Sequence, residues 1–113
     1  MLKIYHNPRC SKSRQGLAIL EESKMPFEII KYLDQPPTIE ELTKLIKTLD
    51  ISPIQLIRKG EAVWKENYKG KTLTDSQIIE AMAKHPKLIE RPIVIDGNKA
   101  VIGRPPVLIK DLL

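Results

Sequence analysis

LKIYHNPRCSKSRQGLAILEESKMPFEIIKY, residues 2–32, is the stretch that decides the fold of this chain. Its apolar run Leu2–Tyr5 predicts a β-strand, which Asn7 and Pro8 end. The apolar spacing over residues 11–23 predicts a helix with one buried face, and residues 28–32 have the composition of a second strand. A strand, a helix and a strand in this order form a β-α-β unit, whose two strands are normally parallel.

Helical patterns follow this unit. Thr38 and Thr74 each stand three residues before a Glu or Gln, which is the spacing of a capping box, and they predict helices that run to about residue 49 and to residue 85. Residues 51–58 predict a further short helix, and the polar segment 60–71 a loop or a broken helix. The middle of the chain is therefore predicted to be helical.

The last third of the chain predicts a hairpin and a final helix. Residues 92–95 and 100–102 are short apolar runs joined by Asp96-Gly97-Asn98, so we expect them to pair antiparallel. Pro105-Pro106 then opens a helix over residues 107–113. This order predicts an α/β fold, a thioredoxin-like mixed four-stranded sheet with a helical subdomain inserted at about residues 36–88, within one domain of residues 1–113.

Composition narrows the class of protein. The chain has 113 residues, a net charge of +5 and a single cysteine, so it predicts one domain without a disulfide framework, in the reducing cytoplasm. We expect this domain to be a monomer. It shows no signal-peptide pattern and no apolar run of membrane-spanning length, which predicts no membrane association. Its lysines are scattered and its aromatic residues few, so nucleic acid is not an expected partner either.

Cys10, the only cysteine, stands at the predicted start of the first helix. A thiolate there faces the positive end of the helix dipole, and Arg9, Lys12 and Arg14 are close in sequence, so we expect a lowered pKa and a reactive nucleophile. The alternative is an inert cysteine packed as a small hydrophobic side chain. The basic and polar neighbours favour the reactive thiol.

A series of local motifs then runs along the whole chain. In order they are His6-Asn7-Pro8-Arg9-Cys10-Ser11-Lys12-Ser13-Arg14, Tyr32-Leu33 with Pro36-Pro37-Thr38, Leu56-Ile57-Arg58-Lys59, His85-Pro86, Glu90-Arg91-Pro92-Ile93-Val94 and Gly103-Arg104-Pro105. Together they resemble the glutaredoxin-dependent arsenate reductase family. The resemblance implies a thioredoxin-like oxidoreductase of arsenic detoxification, in which Cys10 is the catalytic residue that attacks arsenate.

The resemblance also implies a reaction cycle without a bound cofactor. Cys10 forms a covalent adduct with arsenate, glutathione attacks the adduct as co-substrate to release arsenite, and glutaredoxin clears the mixed disulfide left on Cys10. Ser13 stands at the second cysteine position of a C-x-x-C pair and cannot act as a resolving thiol. Both reductants must therefore be external.

Arg58, Arg91 and Arg104 are the positions at which the family places its oxyanion-binding arginines. Attack by a thiolate on an oxyanion brings two negative charges together, and guanidinium groups and helix-start amides are suited to offset them. Taken alone, each arginine would pass for an ordinary surface residue. Pro92 falls where thioredoxin-like folds carry a cis-proline beside the active thiol, so the resemblance implies a cis Arg91–Pro92 bond.

Three neighbours of Cys10 are predicted to stabilise its thiolate. His6 would act by a charge or a hydrogen bond, Ser13 by a hydrogen bond from its hydroxyl, and Arg14 by its charge at position i+4. Two alternatives stay open: His6 as a structural residue that closes the turn, and Arg14 as a residue that packs on the helix.

Two other functions also remain open at this point. One is a general glutathione-linked thiol reductase without arsenate specificity, and the other is a regulatory protein that binds RNA polymerase, as relatives of this family do. The missing second sulfur in Cys10-Ser11-Lys12-Ser13 counts against an internal disulfide switch but not against binding. No residue grouping has metal-ligand spacing and no Gly-rich nucleotide loop is present, so neither a metal nor a bound cofactor is predicted.

Overall fold

The computed structural model describes residues 2–113. Along these residues the elements are β1 (Leu2–Tyr5), α1 (Ser11–Ser23), β2 (Phe27–Ile30), α2 (Ile39–Leu49), α3 (Ala62–Asn67), α4 (Asp75–Lys84), β3 (Ile93–Asp96) and β4 (Lys99–Ile102), with short 3₁₀ helices at Pro53–Leu56, Pro86–Leu88 and Pro106–Leu112. Residues 2–35 and Arg91–Leu113 form one compact unit, and Pro36–Glu90 form another. No helix among the described residues has both the length and the apolarity to cross a membrane.

The first unit is built on a four-stranded sheet with the strand order β2-β1-β3-β4. β1 pairs in parallel with β2 and antiparallel with β3, and β3 pairs antiparallel with β4 across the Gly97 turn. The predicted mixed sheet, its β-α-β unit and its hairpin are thus confirmed. Because β1 lies in the centre of the sheet, the loop that leaves it emerges beside the ends of its two neighbours.

The core of this unit follows from the alternation of β1. Leu2 and Ile4 point inward and are almost fully buried, whereas Lys3 between them is exposed. They form one cluster with Leu20 of α1, Val94 of β3 and Ile109 near the end of the chain.

Gly16 sets how closely α1 approaches the segment that begins β3. A Cβ at this position would lie 2.8 Å from both Pro92 Cγ and Ile109 Cδ1, so only glycine allows this packing without a shift. The close approach holds the second turn of α1 against Pro92. The N-terminal half of the helix and the residue before β3 are therefore packed together.

The second unit contains the helices that the capping boxes predict. The Thr38 hydroxyl accepts a hydrogen bond from the Glu41 amide at 3.1 Å, and the Glu41 carboxylate accepts one from the Thr38 amide at 3.0 Å. Thr74 and Gln77 repeat this arrangement at the start of α4. The unit has its own apolar core, which includes Leu42, Leu45, Ile46, Leu56, Trp64, Ile78, Met82, Leu88 and Ile89.

Three predicted elements differ in the structure. The helix expected over residues 51–58 shrinks to the turn Pro53–Leu56, because Ile57 pairs with Ile89 and the Arg58 amide donates to the Leu88 carbonyl at 2.7 Å. β2 ends at Ile30, and the two amides that follow Leu33 donate instead to the Lys31 carbonyl in a turn. The last helix has the tighter 3₁₀ geometry.

Candidate active site

Cys10 is held by the turn that connects β1 to α1. The Cys10 amide donates to the Asn7 carbonyl and the Arg9 amide donates to the Asn7 side-chain oxygen, both at 3.0 Å. Asn7 thus closes the turn with its backbone and its side chain at once, as asparagine commonly does. Sequence reasoning missed this role, although the Asn7-Pro8 pair signals such a turn.

The thiol of Cys10 occupies the N-cap position of α1. The residue is extended, with φ −96° and ψ 123°, and its carbonyl accepts the first helical hydrogen bond, from the Arg14 amide at 3.0 Å. The side chain of an N-cap residue faces the free amides of the second and third helical residues, here Lys12 and Ser13. This is the position at which helices bind anions.

These surroundings lower the pKa of Cys10. Partial burial raises the pKa of the thiol, but the Ser13 amide, a hydrogen bond from the Arg91 side chain, the Lys12 amide and the charge of Arg91 together outweigh it. The pKa of Cys10 is therefore lowered overall, which favours the thiolate. Cys10 is a free cysteine and only partly buried, so a reagent can reach its sulfur.

Arg104 links the thiol to the start of β3. Its Nη2 donates towards Cys10 Sγ at 3.7 Å, while its Nε donates to the Arg91 carbonyl at 2.8 Å. One edge of the guanidinium is thus anchored on backbone and another faces the sulfur. Arg91 itself is buried, and its charge acts on the same thiol. The structure therefore brings Arg91 and Arg104 together at Cys10.

Both arginines precede a cis-proline. The Arg91–Pro92 bond is cis, as the resemblance implied. The Arg104–Pro105 bond is cis as well, which sequence analysis did not predict.

His6 and Ser13 form a buried pair behind the loop. The Ser13 hydroxyl lies 2.6 Å from His6 Nδ1 and accepts a hydrogen bond from the Asn7 amide at 2.9 Å. The predicted hydrogen bond from this hydroxyl to the sulfur is not among the contacts of residues 2–113, since the hydroxyl is turned to His6 and Asn7. Ser13 acts on the thiol through its backbone amide instead.

The pKa of His6 is lowered, so its ring is neutral at pH 7. Burial is the main cause, and the charges of Lys31 and Arg14 act in the same direction against the opposing hydrogen bond to Ser13. A neutral ring offers no positive charge to Cys10. The geometry of His6 fits the alternative better, in which it is a structural histidine that closes the turn.

Arg14 is directed at the loop and not at the sulfur. Its Nη1 donates to the Pro8 carbonyl at 2.9 Å. Side chains on a helix point back towards its N-terminus, and one as long as arginine extends from position 14 past Cys10 to the preceding turn. Among the described residues, the groups that lower the pKa of Cys10 do not include the predicted charge of Arg14, which braces the turn instead.

Arg58 lies in the second unit and is held by two carboxylates. Its Nε is 3.7 Å from Glu61 Oε1, and its Nη1 is 3.7 Å from Glu90 Oε1. Its part in oxyanion binding stays a prediction. Residues 2–113 contain no cluster of three His, Cys, Asp or Glu side chains placed to hold a metal ion.

The lowered pKa of Cys10 gives a direct prediction. The rate of alkylation by iodoacetamide should rise with pH through a midpoint below about 8.5, the ordinary value for a free cysteine, because only the thiolate reacts. The same chain unfolded in urea is the control, and its midpoint should return to the ordinary value. A folded midpoint at or above that of the unfolded chain would contradict the activation of this thiol.

Comparisons with known proteins indicate the family to which this chain is similar. The model of the ArsC family matches residues 5–112. An arsenate reductase of Neisseria meningitidis serogroup A is 42% identical over 106 residues, which are 92% of this chain and 91% of the relative. A protein of Escherichia coli K12 named uncharacterized protein YfgD is 43% identical over 99% of this chain and 96% of its own. The solved structure of an arsenate reductase from Vibrio cholerae superposes with a TM-score of 0.94 at 44% identity, covering 99% of this chain and 97% of the other.

Proposed function

This chain belongs to the ArsC family, and from that premise we propose that it is an arsenate reductase that works through Cys10, with glutathione and glutaredoxin as external reductants. The observation that carries the proposal is the placement of two guanidinium groups at one thiol, with Arg104 anchored between the Arg91 carbonyl and Cys10 Sγ. Binding of a neutral disulfide substrate would not require these positive charges. An oxyanion that approaches a thiolate does require them, because the two negative charges repel each other.

In the first step the Cys10 thiolate attacks arsenic. A sulfur–arsenic bond forms and a hydroxide leaves, which becomes water when it takes a proton. The oxyanion and the thiolate repel each other, so the charges of Arg91 and Arg104 and the amides of Lys12 and Ser13 lower the free energy of their encounter. Arsenic remains in the +5 state in this adduct.

In the second step glutathione reduces the adduct. Its thiolate attacks the Cys10 sulfur, a disulfide bond forms, and the sulfur–arsenic bond breaks with its electron pair left on arsenic. Two sulfurs are oxidised to one disulfide while arsenic falls from +5 to +3, and arsenite departs. One arsenate and one glutathione are consumed for each mixed disulfide that forms.

The third step restores the enzyme. Ser13 stands where a resolving cysteine would be, and the chain has no other thiol. An external thiolate must therefore attack the glutathione sulfur of the mixed disulfide and release Cys10 as a thiolate, and glutaredoxin carries out this type of exchange. The open, partly exposed position of Cys10 suits such an attack.

The test is a steady-state assay with arsenate, in which either reductant is left out in turn. We expect sustained release of arsenite only when glutathione and glutaredoxin are both present. Without glutaredoxin, release should stop after about one arsenite per enzyme, with a single glutathione adduct accumulating on Cys10. Mass spectrometry follows the adduct. Reduction of a neutral disulfide without arsenate turnover would replace the proposal by the general thiol reductase. Co-purification with RNA polymerase together with absent turnover would replace it by the regulatory protein.

A further inference from the structure

The two arginines at Cys10 lie opposite each other because of the register of the β3–β4 hairpin. Carried two residues past the strands, this register sets Pro92 opposite Gly103 and Arg91 opposite Arg104. The hydrogen bonds keep the same order. The Gly103 amide donates to the Pro92 carbonyl at 2.8 Å, and Arg104 Nε donates to the Arg91 carbonyl at 2.8 Å. The position of both guanidinium groups therefore depends on the backbone at Pro92 and Gly103.

Pro92 and Ile109 together fill the space between α1 and the end of this hairpin. A Cβ at Gly103 would lie 2.9 Å from both Pro92 Cγ and Ile109 Cδ1, and a Cβ at Gly16 would lie 2.8 Å from the same two atoms. One ring carbon and one methyl group thus pack against both glycines. One of these glycines belongs to α1, and the other is bonded to Arg104.

Ile109 enters this space from the 3₁₀ helix at Pro106–Leu112. Its side chain is fully buried and belongs to the core cluster that includes Leu20 of α1 and Val94 of β3. Protein interiors are close-packed, so the loss of a single methyl group is felt by the atoms around it. The Cδ1 methyl is therefore placed to set the distance between the helix that begins after Cys10 and the backbone that carries the two arginines.

We propose that Ile109 positions Arg91 and Arg104 for arsenate reduction at Cys10, an inference that rests on the proposed function. Its Cδ1 methyl keeps the residues next to both arginines at a fixed distance from α1. Ile109 acts through the guanidinium groups and takes no part in the chemistry itself. Groups that stabilise an oxyanion must be held in place before the reaction, and a displacement of about 1 Å that starts far from the reacting atoms can lower a rate about a hundredfold.

The test compares two variants that each lose one buried methyl group. Ile109→Val removes Cδ1, the atom that packs against both glycines. Ile4→Val makes the same change at a fully buried isoleucine of the same core cluster, whose atoms are not among the nearest to either glycine. Both variants should unfold at a similar, slightly lower concentration of guanidinium chloride than wild type, because each loses the same amount of packing. Any further difference between them then reports the position of the arginines.

The first measurement is turnover of arsenate. We expect kcat/KM to fall about tenfold in Ile109→Val, since the removal of one methyl group should move the guanidinium groups by less than about 1 Å. In Ile4→Val it should stay within about twofold of wild type, because that change leaves the contacts of both glycines intact.

The second measurement needs no arsenate. The pH midpoint of Cys10 alkylation by iodoacetamide should rise by about half a pH unit in Ile109→Val and stay unchanged in Ile4→Val, because guanidinium groups that are held less closely stabilise the thiolate less. At high pH the thiol is ionised in every variant, and the alkylation rate there should be the same in all of them. This second value shows that access to the sulfur has not changed.

A third variant shows whether Ile109 acts through the arginines. When Ile109→Val is combined with Arg104→Ala, the further loss in kcat/KM for arsenate should be about threefold or less, because the anchored guanidinium that the methyl group positions is then missing. A residue with a merely structural role would lower the rate by the same factor in both backgrounds.

The inference would be overturned if Ile109→Val matched Ile4→Val both in kcat/KM for arsenate and in the alkylation midpoint. An undiminished tenfold loss in the Arg104→Ala background would also overturn it, as would a lower alkylation rate at high pH, since either result would place the effect away from the guanidinium groups. A wild-type chain without arsenate turnover would refute the proposed function alone. The alkylation midpoints of the two valine variants would still decide whether Ile109 positions the arginines.

Discussion

Cys10→Ser is expected to abolish arsenate turnover while it leaves the fold intact and slightly more stable. Serine has no thiolate to form the adduct, and the neutral His6 is bound to Ser13, so no base stands ready to activate a hydroxyl at position 10. The rate should fall by about 10⁴-fold or more, to background. Arsenite release measured with both reductants present decides the first half of this prediction.

The second half follows from the position of Cys10 at the N-cap of α1. Its side chain makes no capping hydrogen bond of ordinary geometry, whereas serine is among the preferred N-cap residues, so the substitution should raise the free energy of unfolding by about 0.5–1 kcal/mol. Cys10→Ala is the matched control, because it lacks both the thiol and the capping oxygen. It should be as inactive as Cys10→Ser and less stable in guanidinium chloride.

Two results would contradict this account. Arsenate turnover by Cys10→Ser above about one per cent of wild type would require a nucleophile other than a thiol, since the chain has no second cysteine. A Cys10→Ser midpoint below that of Cys10→Ala would mean that the sulfur is held by packing and that the helix amides do not face it. The pair of variants thus separates chemistry from capping.

Local patterns explain why much of the fold was predictable. β1 and α1 have the predicted bounds because each is specified by its own periodicity and by Asn7-Pro8 between them. The capping boxes at Thr38 and Thr74 use side chains only three residues apart. The region 51–58 escaped prediction because its backbone pairs with Ile89, more than thirty residues later in the chain. No local pattern contains that partner.

The candidate active site also has parts that the sequence could predict and parts that depend on tertiary structure. The position of Cys10 at a helix start is local, and the roles of Arg91 and Arg104 came from the resemblance. The anchoring of Arg104 on the Arg91 carbonyl depends on tertiary structure, as does the turning of the Ser13 hydroxyl to His6. Arg14 was assigned to the thiolate on spacing alone, and spacing does not tell how far past its neighbour a long side chain extends. The sequence indicated which residues lie near Cys10, but it did not show where their side chains point.

Arg104→Ala should lower the rate with arsenate by about a hundredfold, or about 3 kcal/mol of transition-state stabilisation. The substitution removes the guanidinium contact to the sulfur and its anchor on Arg91 together. The loss should be larger with arsenate than with a neutral disulfide, because only the oxyanion adds negative charge at the thiolate. Comparing kcat/KM for the two substrates measures this difference.

Arg104→Lys is the sharper variant. Lysine keeps the charge but has no planar fork, so one ammonium cannot hold the Arg91 carbonyl and face Cys10 Sγ in the same geometry. We expect its rate with arsenate to lie between those of wild type and Arg104→Ala, and full activity would show that net charge alone matters.

Arg91→Ala is harder to interpret, because it also changes the residue before Pro92. If the alanine variants of Arg58, Arg91 and Arg104 all kept wild-type arsenate turnover while Cys10→Ser abolished it, the oxyanion site would be wrong, and a general thiol reductase would explain the chain better.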